Sequence, residues 1–159
     1  MRKRPEPSLR TRALQYLARR EYSRAELAAK LRPYAEVEDE FEQVQPVDID
    51  ALLDDLTTSG WLSDERAVTQ LLHARRPRFG TQRIAHELHQ KGISEELIEK
   101  ALPALKETEL ETARSVWQRK YDALPIDAKE KVRQMRFLQS RGFSIDVIFK
   151  VLRTSAVDD

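Results

Sequence analysis

The side chains in this sequence that could do chemistry are almost all cationic. Arg75, Arg76, Arg78 and Arg83 crowd the handover from one predicted helix to the next. Lys129, Lys131, Arg133, Arg136 and Arg141 form a second group, opposed only by Glu130. Spaced by four and three residues, Lys129, Arg133 and Arg136 share one side of a helix, an arrangement that can follow a phosphate backbone. Lys91 adds a cation just before Gly92. Arginine dominates the first group, and its planar fork suits phosphate or carboxylate better than a point charge does. A solubilising helix surface is the plainer reading of either cluster taken alone.

Catalysis has little to work with here. There is no Gly-rich phosphate loop, no nucleophile with a matched histidine and acid, and no cofactor fingerprint. The chain has no cysteine, which removes disulfides, thiolate nucleophiles and cysteine metal sites, and suits a reducing compartment. His86 and His89 stand one turn apart and could form half a metal site, but His73 is on another helix and zinc needs more ligands. The carboxylates of Glu36, Glu38, Asp39, Glu40 and Glu42 lack the spacing of a calcium loop. Trp61, Phe79, Trp117 and Phe143 could stack on bases, yet at helix junctions they read as core or staple residues. The expectation is a non-enzyme with no cofactor and no metal, working by binding.

Composition bounds the architecture that must position these cations. Of 159 residues, 40% are hydrophobic and 35% charged, so a core requires strongly patterned apolar positions. Only 4 glycines and 7% aromatic residues disfavour turn-rich β structure and favour helices. Charge is unevenly spread. Residues 1–35 hold ten Lys/Arg against three Asp/Glu, residues 36–65 none against eleven, and residues 66–159 eighteen against thirteen. Two basic regions flank an acidic block, which points to electrostatic partners rather than to a fold. The basic start, Met1-Arg2-Lys3-Arg4-Pro5, lacks the apolar run of a signal peptide, and nothing approaches the ~20 apolar residues of a membrane span. A soluble, cytoplasmic monomer is expected.

Capping residues and apolar spacing predict nine short helices in three sets of three. Leu9, Ala13, Tyr16 and Leu17 mark the first, and a Ser23/Glu26 capping box opens the second, with Leu27 and Leu31 inward and Pro33 ending it. Residues 36–46 are acidic and unperiodic, hence a loop. Asp48 caps a third helix with Ile49, Leu52, Leu53 and Leu56, stopped by Gly60. Ser63, Gly80-Thr81 and Ser94 open the fourth to sixth, the last ending before Pro103. A Thr108/Glu111 capping box opens the seventh, with Ala113, Val116, Trp117 and Tyr121. Asp127 opens the eighth, with Val132, Met135 and Leu138 inward, and Ser144 caps the ninth, with Val147, Ile148, Val151 and Leu152.

The sets are related in sequence. Residues 88–102 align without a gap on residues 138–152, with leucine, glycine, serine, isoleucine, lysine and leucine identical at matched places. Ser23, Leu27 and Leu31 likewise match Gly80, Ile84 and Leu88 in spacing. An all-α chain of three tandem three-helix repeats follows, over residues 1–62, 63–106 and 107–159, forming an elongated, curved array. A long surface of this kind favours extended partners.

Several ordered motifs resemble the RecX family of recombination regulators. They are Gly60-Trp61-Leu62-Ser63-Asp64-Glu65-Arg66-Ala67, Arg75-Arg76-Pro77-Arg78-Phe79-Gly80, residues 88–93, and Arg136-Phe137-Leu138-Gln139-Ser140-Arg141-Gly142-Phe143-Ser144. The opening segment over residues 13–27 matches as well, so the resemblance covers nearly the whole chain. It implies a bacterial protein that binds RecA recombinase and lodges in the groove of the RecA–DNA filament. There it would limit extension or promote disassembly, and inhibit ATPase, strand exchange and coprotease activities. It further implies weaker contact with single- or double-stranded DNA, and so a negative regulator of homologous recombination, DNA repair and the SOS response.

The electrostatic contacts are expected from Arg75, Arg76, Arg78, Arg83, Lys91, Arg133, Arg136 and Arg141. Two features depart from the family pattern. The acidic residues 36–47 lengthen the second link, and Phe149 stands where the repeat matches Glu99. A competing reading is a helix-turn-helix-like DNA-binding regulator that needs no recombinase. No recognition helix stands out for it, since residues 97–102 and 147–152 read as largely buried. A plain helical scaffold is the third reading.

Overall fold

Short polar side chains ahead of each apolar run start the helices. Ser8, Asp48, Ser94 and Asp127 each accept from the backbone N–H three residues on, at 3.1, 3.2, 3.3 and 2.7 Å. Ser63 and Ser144 do the same toward Arg66 and Val147 at 3.1 and 3.4 Å. At Ser23 the capping box closes in both directions: the Glu26 N–H donates to Ser23 Oγ and the Ser23 N–H to Glu26 Oε1, each at 3.1 Å. In this computed structural model, which describes residues 6–35 and 48–154, these caps and Gly80 open eight α-helices. They are α1 Leu9–Arg19, α2 Arg24–Ala35, α3 Ile49–Thr58, α4 Asp64–Arg75, α5 Thr81–Gln90, α6 Glu95–Lys120, α7 Ala128–Ser140 and α8 Ile145–Thr154. The described residues contain no β-strand, and the all-α class holds. The acidic loop expected over residues 36–47, and the basic residues 1–5, lie outside the described residues.

Eight helices stand where nine were expected, because the sixth and seventh are one. Helix α6 runs 26 residues straight through Pro103. Proline in a helix interior costs about 3 kcal/mol through its missing N–H and its clash with the preceding turn. Burial outweighs that cost here. Ile98, Leu105, Glu109, Ala113, Val116 and Trp117 are all buried, so a single stripe at helical spacing crosses the proline without changing phase. Pro103 itself is exposed, where water can satisfy the carbonyl it orphans. Thr108 is therefore not a cap. Pro33 likewise falls inside the last turn of α2 rather than ending it.

The chain divides into two compact units within α4. The first groups Met1–Val68 with Lys91–Ile93, and the second groups Thr69–Gln90 with Ser94–Asp159. The first unit's core joins Leu9 and Ala13 of α1, Leu27 and Leu31 of α2, Leu53 and Leu56 of α3, with Tyr22 and Leu62. In the second, Ala113, Val116 and Trp117 of α6 meet Leu138 of α7, Phe143, and Ile148, Val151 and Leu152 of α8. Two expectations about this packing need correction. Trp61 is 55% exposed rather than core, and Val132 is 44% exposed while Gln134 is fully buried. The inward stripe of α7 runs Gln134–Leu138, one turn apart, and Val132 lies off it. Gln134 is tolerated because it accepts from Trp117 Nε1 at 2.8 Å and donates to the Ala123 carbonyl at 3.3 Å. Phe149 is half-buried, with Lys131 Nζ and Arg153 Cζ 5.8 and 5.7 Å from its ring centre.

The two turns related by the sequence repeat dock in the same way. Ser23 Oγ donates to the Lys91 carbonyl at 2.5 Å, and a Cβ on Gly92 would meet Ala25 Cβ at 2.5 Å. In the matching place, Gly80 N–H donates to the Arg141 carbonyl at 2.8 Å and Gln82 N–H to the Gly142 carbonyl at 3.2 Å. A Cβ on Gly142 would come within 2.6 Å of Arg83 N. Both glycines have left-handed backbone, φ 72° and 89°, so each turn needs glycine for conformation and for room.

Candidate functional site

The structure sorts the eight candidate cations by what they touch. Arg75, in the last turn of α4, places Nε 3.3 and 3.1 Å from the two Glu87 oxygens, with a third contact of 3.2 Å from its Nη2. Its charge is met inside the fold, tying α4 to α5. Arg76 donates to Thr108 Oγ1 at 2.8 and 3.2 Å and to the Ala104 carbonyl at 2.9 Å, tying the same turn to α6. Lys91 belongs to the first unit, where its Nζ lies 3.5 Å from Glu26 Oε2. None of these three is an unoccupied cation, although spacing alone made them equal to the rest.

Around Lys91 the electrostatics are structural. Burial alone would raise the Glu26 pKa, but it is outweighed. The Arg20 guanidinium at 2.9 Å, the Ser23 N–H and the nearby Lys91 charge hold the carboxyl below its ordinary value. Arg20 responds in kind. Its burial works against the charge, and Glu26 more than restores it, so its pKa is raised.

Arg78 and Arg141 have a different setting. In the second unit they line an open cleft of about 600 Å³ together with Val116, Arg119, Lys120 and Phe137. No carboxylate lines it. Lys120 Nζ sits 4.3 Å from the Phe137 ring centre and Arg141 Cζ 5.4 Å from it, while the Tyr121 ring meets Phe137 edge-on at 5.6 Å. Arg83 stacks over Phe79 at 4.1 Å and donates to the Ser140 carbonyl at 3.1 Å, and Arg141 lies 5.5 Å from the same Phe79 ring. Arg133 and Arg136 stand exposed on α7. Among the described residues, Arg78, Arg119, Lys120, Arg133, Arg136 and Arg141 form no ion pair.

Sequence reasoning missed Arg119 and Lys120. They close α6, where basic residues also answer the helix dipole, and their distance along the chain from Arg78 and Arg141 hid the cluster. Their signal was weak but present: two adjacent cations after Val116 and Trp117, on the helix whose other side builds the core. Glu109 was missed too. It is buried, accepting from Thr81 Oγ1 and from the Ser144 N–H at 3.2 Å each, and so joins α6 to α5 and α8. His89 Nδ1 lies 3.1 Å from Glu95 Oε1. Among the described residues no three His, Cys, Asp or Glu groups gather as metal ligands, and no helix is long and apolar enough to cross a membrane.

Comparison with known proteins gives the family. The family model for the second three-helix domain of RecX matches residues 63–102, and that for the third three-helix domain matches residues 107–152. The Regulatory protein RecX of Leptothrix cholodnii is 51% identical over 150 residues, covering 94% of this chain and 90% of that protein. That of Chromobacterium violaceum is 43% identical over 152 residues, covering 96% and 93%. The chain belongs to the RecX family. A crystal structure of RecX from Lactobacillus salivarius superposes with a TM-score of 0.72 over 94% of this chain and 95% of that one, at 18% identity, which carries the fold alone. The RecX relatives are bacterial and bear the name of regulatory proteins. Within this RecX chain, Arg78, Arg119, Lys120, Arg133, Arg136 and Arg141 lie in the residues that the two family models span.

Proposed function

We propose that this protein is a binding regulator with no chemistry of its own, acting in the cytoplasm as a negative regulator of homologous recombination and DNA repair. It binds RecA and the groove of the RecA–DNA filament, and so lowers ATP hydrolysis, strand exchange and coprotease activity. The observation that supports this most directly is a group of cations met by no ion pair on the second unit of a RecX-family chain: Arg78, Arg119, Lys120 and Arg141 around the cleft, with Arg133 and Arg136 on α7. A nucleoprotein filament offers phosphates to such a face and protein surface beside them. The three-helix repeats of residues 1–62, 63–106 and 107–159 are the units that spread the contact along it.

The mechanism is differential binding. A ligand shifts a filament equilibrium only as far as it prefers one state, and a tenfold preference is worth about 1.4 kcal/mol. Arg83 and Arg141 contribute while held over Phe79, which limits the rotamer freedom they lose on contact. Arg75, Arg76 and Lys91 contribute by holding the turns in place.

The test is single-stranded-DNA-dependent ATP hydrolysis by RecA, titrated with this protein at fixed salt. Inhibition near stoichiometric levels, weakened severalfold by Arg78→Ala with Arg141→Ala, is expected. Absence of inhibition at large excess, with duplex binding intact, would turn the reading toward a DNA-binding regulator independent of recombinase.

A further inference from the structure

Five arginines elsewhere among the described residues are met by carboxylates. Arg10 pairs with Asp55, Arg20 with Glu26, Arg24 with Asp54, Arg66 with Glu21 and Arg75 with Glu87. The cleft of the second unit gathers several cations in one place without such a partner. Four cations from three places in the sequence, the turn after α4, the end of α6 and the end of α7, converge with no acidic group in the lining. What faces Lys120 and Arg141 is an aromatic ring, Phe137. A cation over a ring at an exposed site gains less than it would from a charge-assisted hydrogen bond. The site is thus pre-assembled and electrostatically unanswered.

Shape narrows the anion that would answer it. A bare phosphate needs a few donors and little room, whereas about 600 Å³ is within the range of small-molecule sites. The cleft's apolar lining is the buried Val116 and the half-buried Phe137, and Arg78, Arg119 and Lys120 stand exposed around them. An occupant that satisfies both carries a flat apolar body and at least one phosphate. From this juxtaposition we infer that the cleft bounded by Arg78, Arg119, Lys120, Phe137 and Arg141 is a binding site for a single nucleotide unit. Its phosphates lie among the guanidinium and ammonium groups and its base lies against the Phe137 ring. Arginine planes add a second stacking surface for the base. The unit is either a free nucleotide or one residue of a strand. The inference rests on the proposed reading of this face as one that meets phosphates, but it requires no recombinase.

Calorimetric titration of the full chain with four probes tests it: ADP, inorganic pyrophosphate, 5′-phosphorylated (dT)3 and an aspartate-rich peptide containing one phenylalanine. ADP or the trinucleotide is expected to bind at least tenfold more tightly than pyrophosphate. ADP above the trinucleotide assigns a free nucleotide, and the reverse order assigns a strand. Phe137→Leu, which keeps apolar volume for the core while removing the aromatic face, is expected to bring nucleotide affinity down to that of pyrophosphate. Arg78→Ala with Arg119→Ala, both exposed, is expected to weaken all phosphate probes at least tenfold with the far-ultraviolet circular dichroism unchanged. Pyrophosphate binding as tightly as both nucleotides, or the peptide binding as tightly as either, would overturn the inference. So would a Phe137→Leu variant with unaltered nucleotide affinity. Because RecA is absent, failure here leaves the ATPase test untouched, and failure of the ATPase test leaves this one readable.

Discussion

Two pairs of substitutions remove the same charge from this protein and should have opposite consequences for DNA binding. Arg78→Ala/Arg119→Ala takes two cations that no described carboxylate meets. Arg75→Ala/Lys91→Ala takes two that Glu87 and Glu26 already hold, at 3.1 and 3.5 Å. For single strands, log affinity falls with log salt by about 0.7 per phosphate neutralised. If each of Arg78, Arg119, Lys120, Arg133, Arg136 and Arg141 neutralises one phosphate, the slope is about −4. Each such contact is worth about fivefold in affinity at 0.1 M salt. Removing Arg78 and Arg119 should reduce the slope by about 1.4 and the affinity by about 25-fold. Removing Arg75 and Lys91 should leave the slope nearly unchanged and lower stability instead. The Arg75 and Glu87 side chains are 41% and 25% exposed, so solvent screening keeps their pair to about 0.5–1 kcal/mol. The assay is fluorescence anisotropy of a labelled oligothymidylate from 50 to 300 mM salt, beside urea melts of each variant. Equal slope changes in the two double variants would refute the reasoning, since only total charge would then matter.

Other outcomes follow from single residues. Because Glu26 titrates below its ordinary value when folded, its contribution is complete above the unfolded carboxyl pKa of about 4.3 and is lost as pH falls through the lowered folded value. Thermal melts across that acidic range should show Glu26→Gln with a flatter pH dependence than wild type, and destabilised by about 1–2 kcal/mol at pH 7; parallel curves would contradict it. Gly60→Ala should cost about 1 kcal/mol, because φ is 83° but nothing lies within 4 Å of the new methyl, whereas Gly142→Ala should cost at least about 2 kcal/mol more through overlap with Arg83. Urea titration separates the two, and equal costs would mean the turn does not dock tightly. Pro103→Ala should stabilise the second unit by about 1–3 kcal/mol, with a rise in helix signal on circular dichroism. A loss of stability would show that the proline is needed where it stands.

Much of this protein is local and therefore readable from sequence. Ser23 with Glu26, Asp48, Ser63, Ser94, Asp127 and Ser144 cap the helices they were expected to cap, because a cap is decided by one side chain and the backbone within three residues of it. The leucine stripes of α1, α2 and α3 and the turn glycines Gly60, Gly92 and Gly142 are likewise statements about adjacent residues. The repeat and the resemblance to RecX required only order and spacing.

Tertiary structure decided what depends on residues distant along the chain. Local rules end a helix at Pro103, but a buried stripe extending to Trp117 carries α6 through it. Val132 satisfies the apolar pattern as well as any position on α7, yet Trp117 Nε1 and the Ala123 carbonyl provide partners that let Gln134 take the inside instead. The same holds for the cations. Arg75 and Arg78 are three residues apart and indistinguishable by type, but only Arg75 finds Glu87 across the α4–α5 packing. Only Arg78 finds Arg119, Lys120 and Arg141 around one cleft. Charge is a property of the sequence, whereas whether that charge is already answered depends on which groups the fold brings within about 4 Å of it.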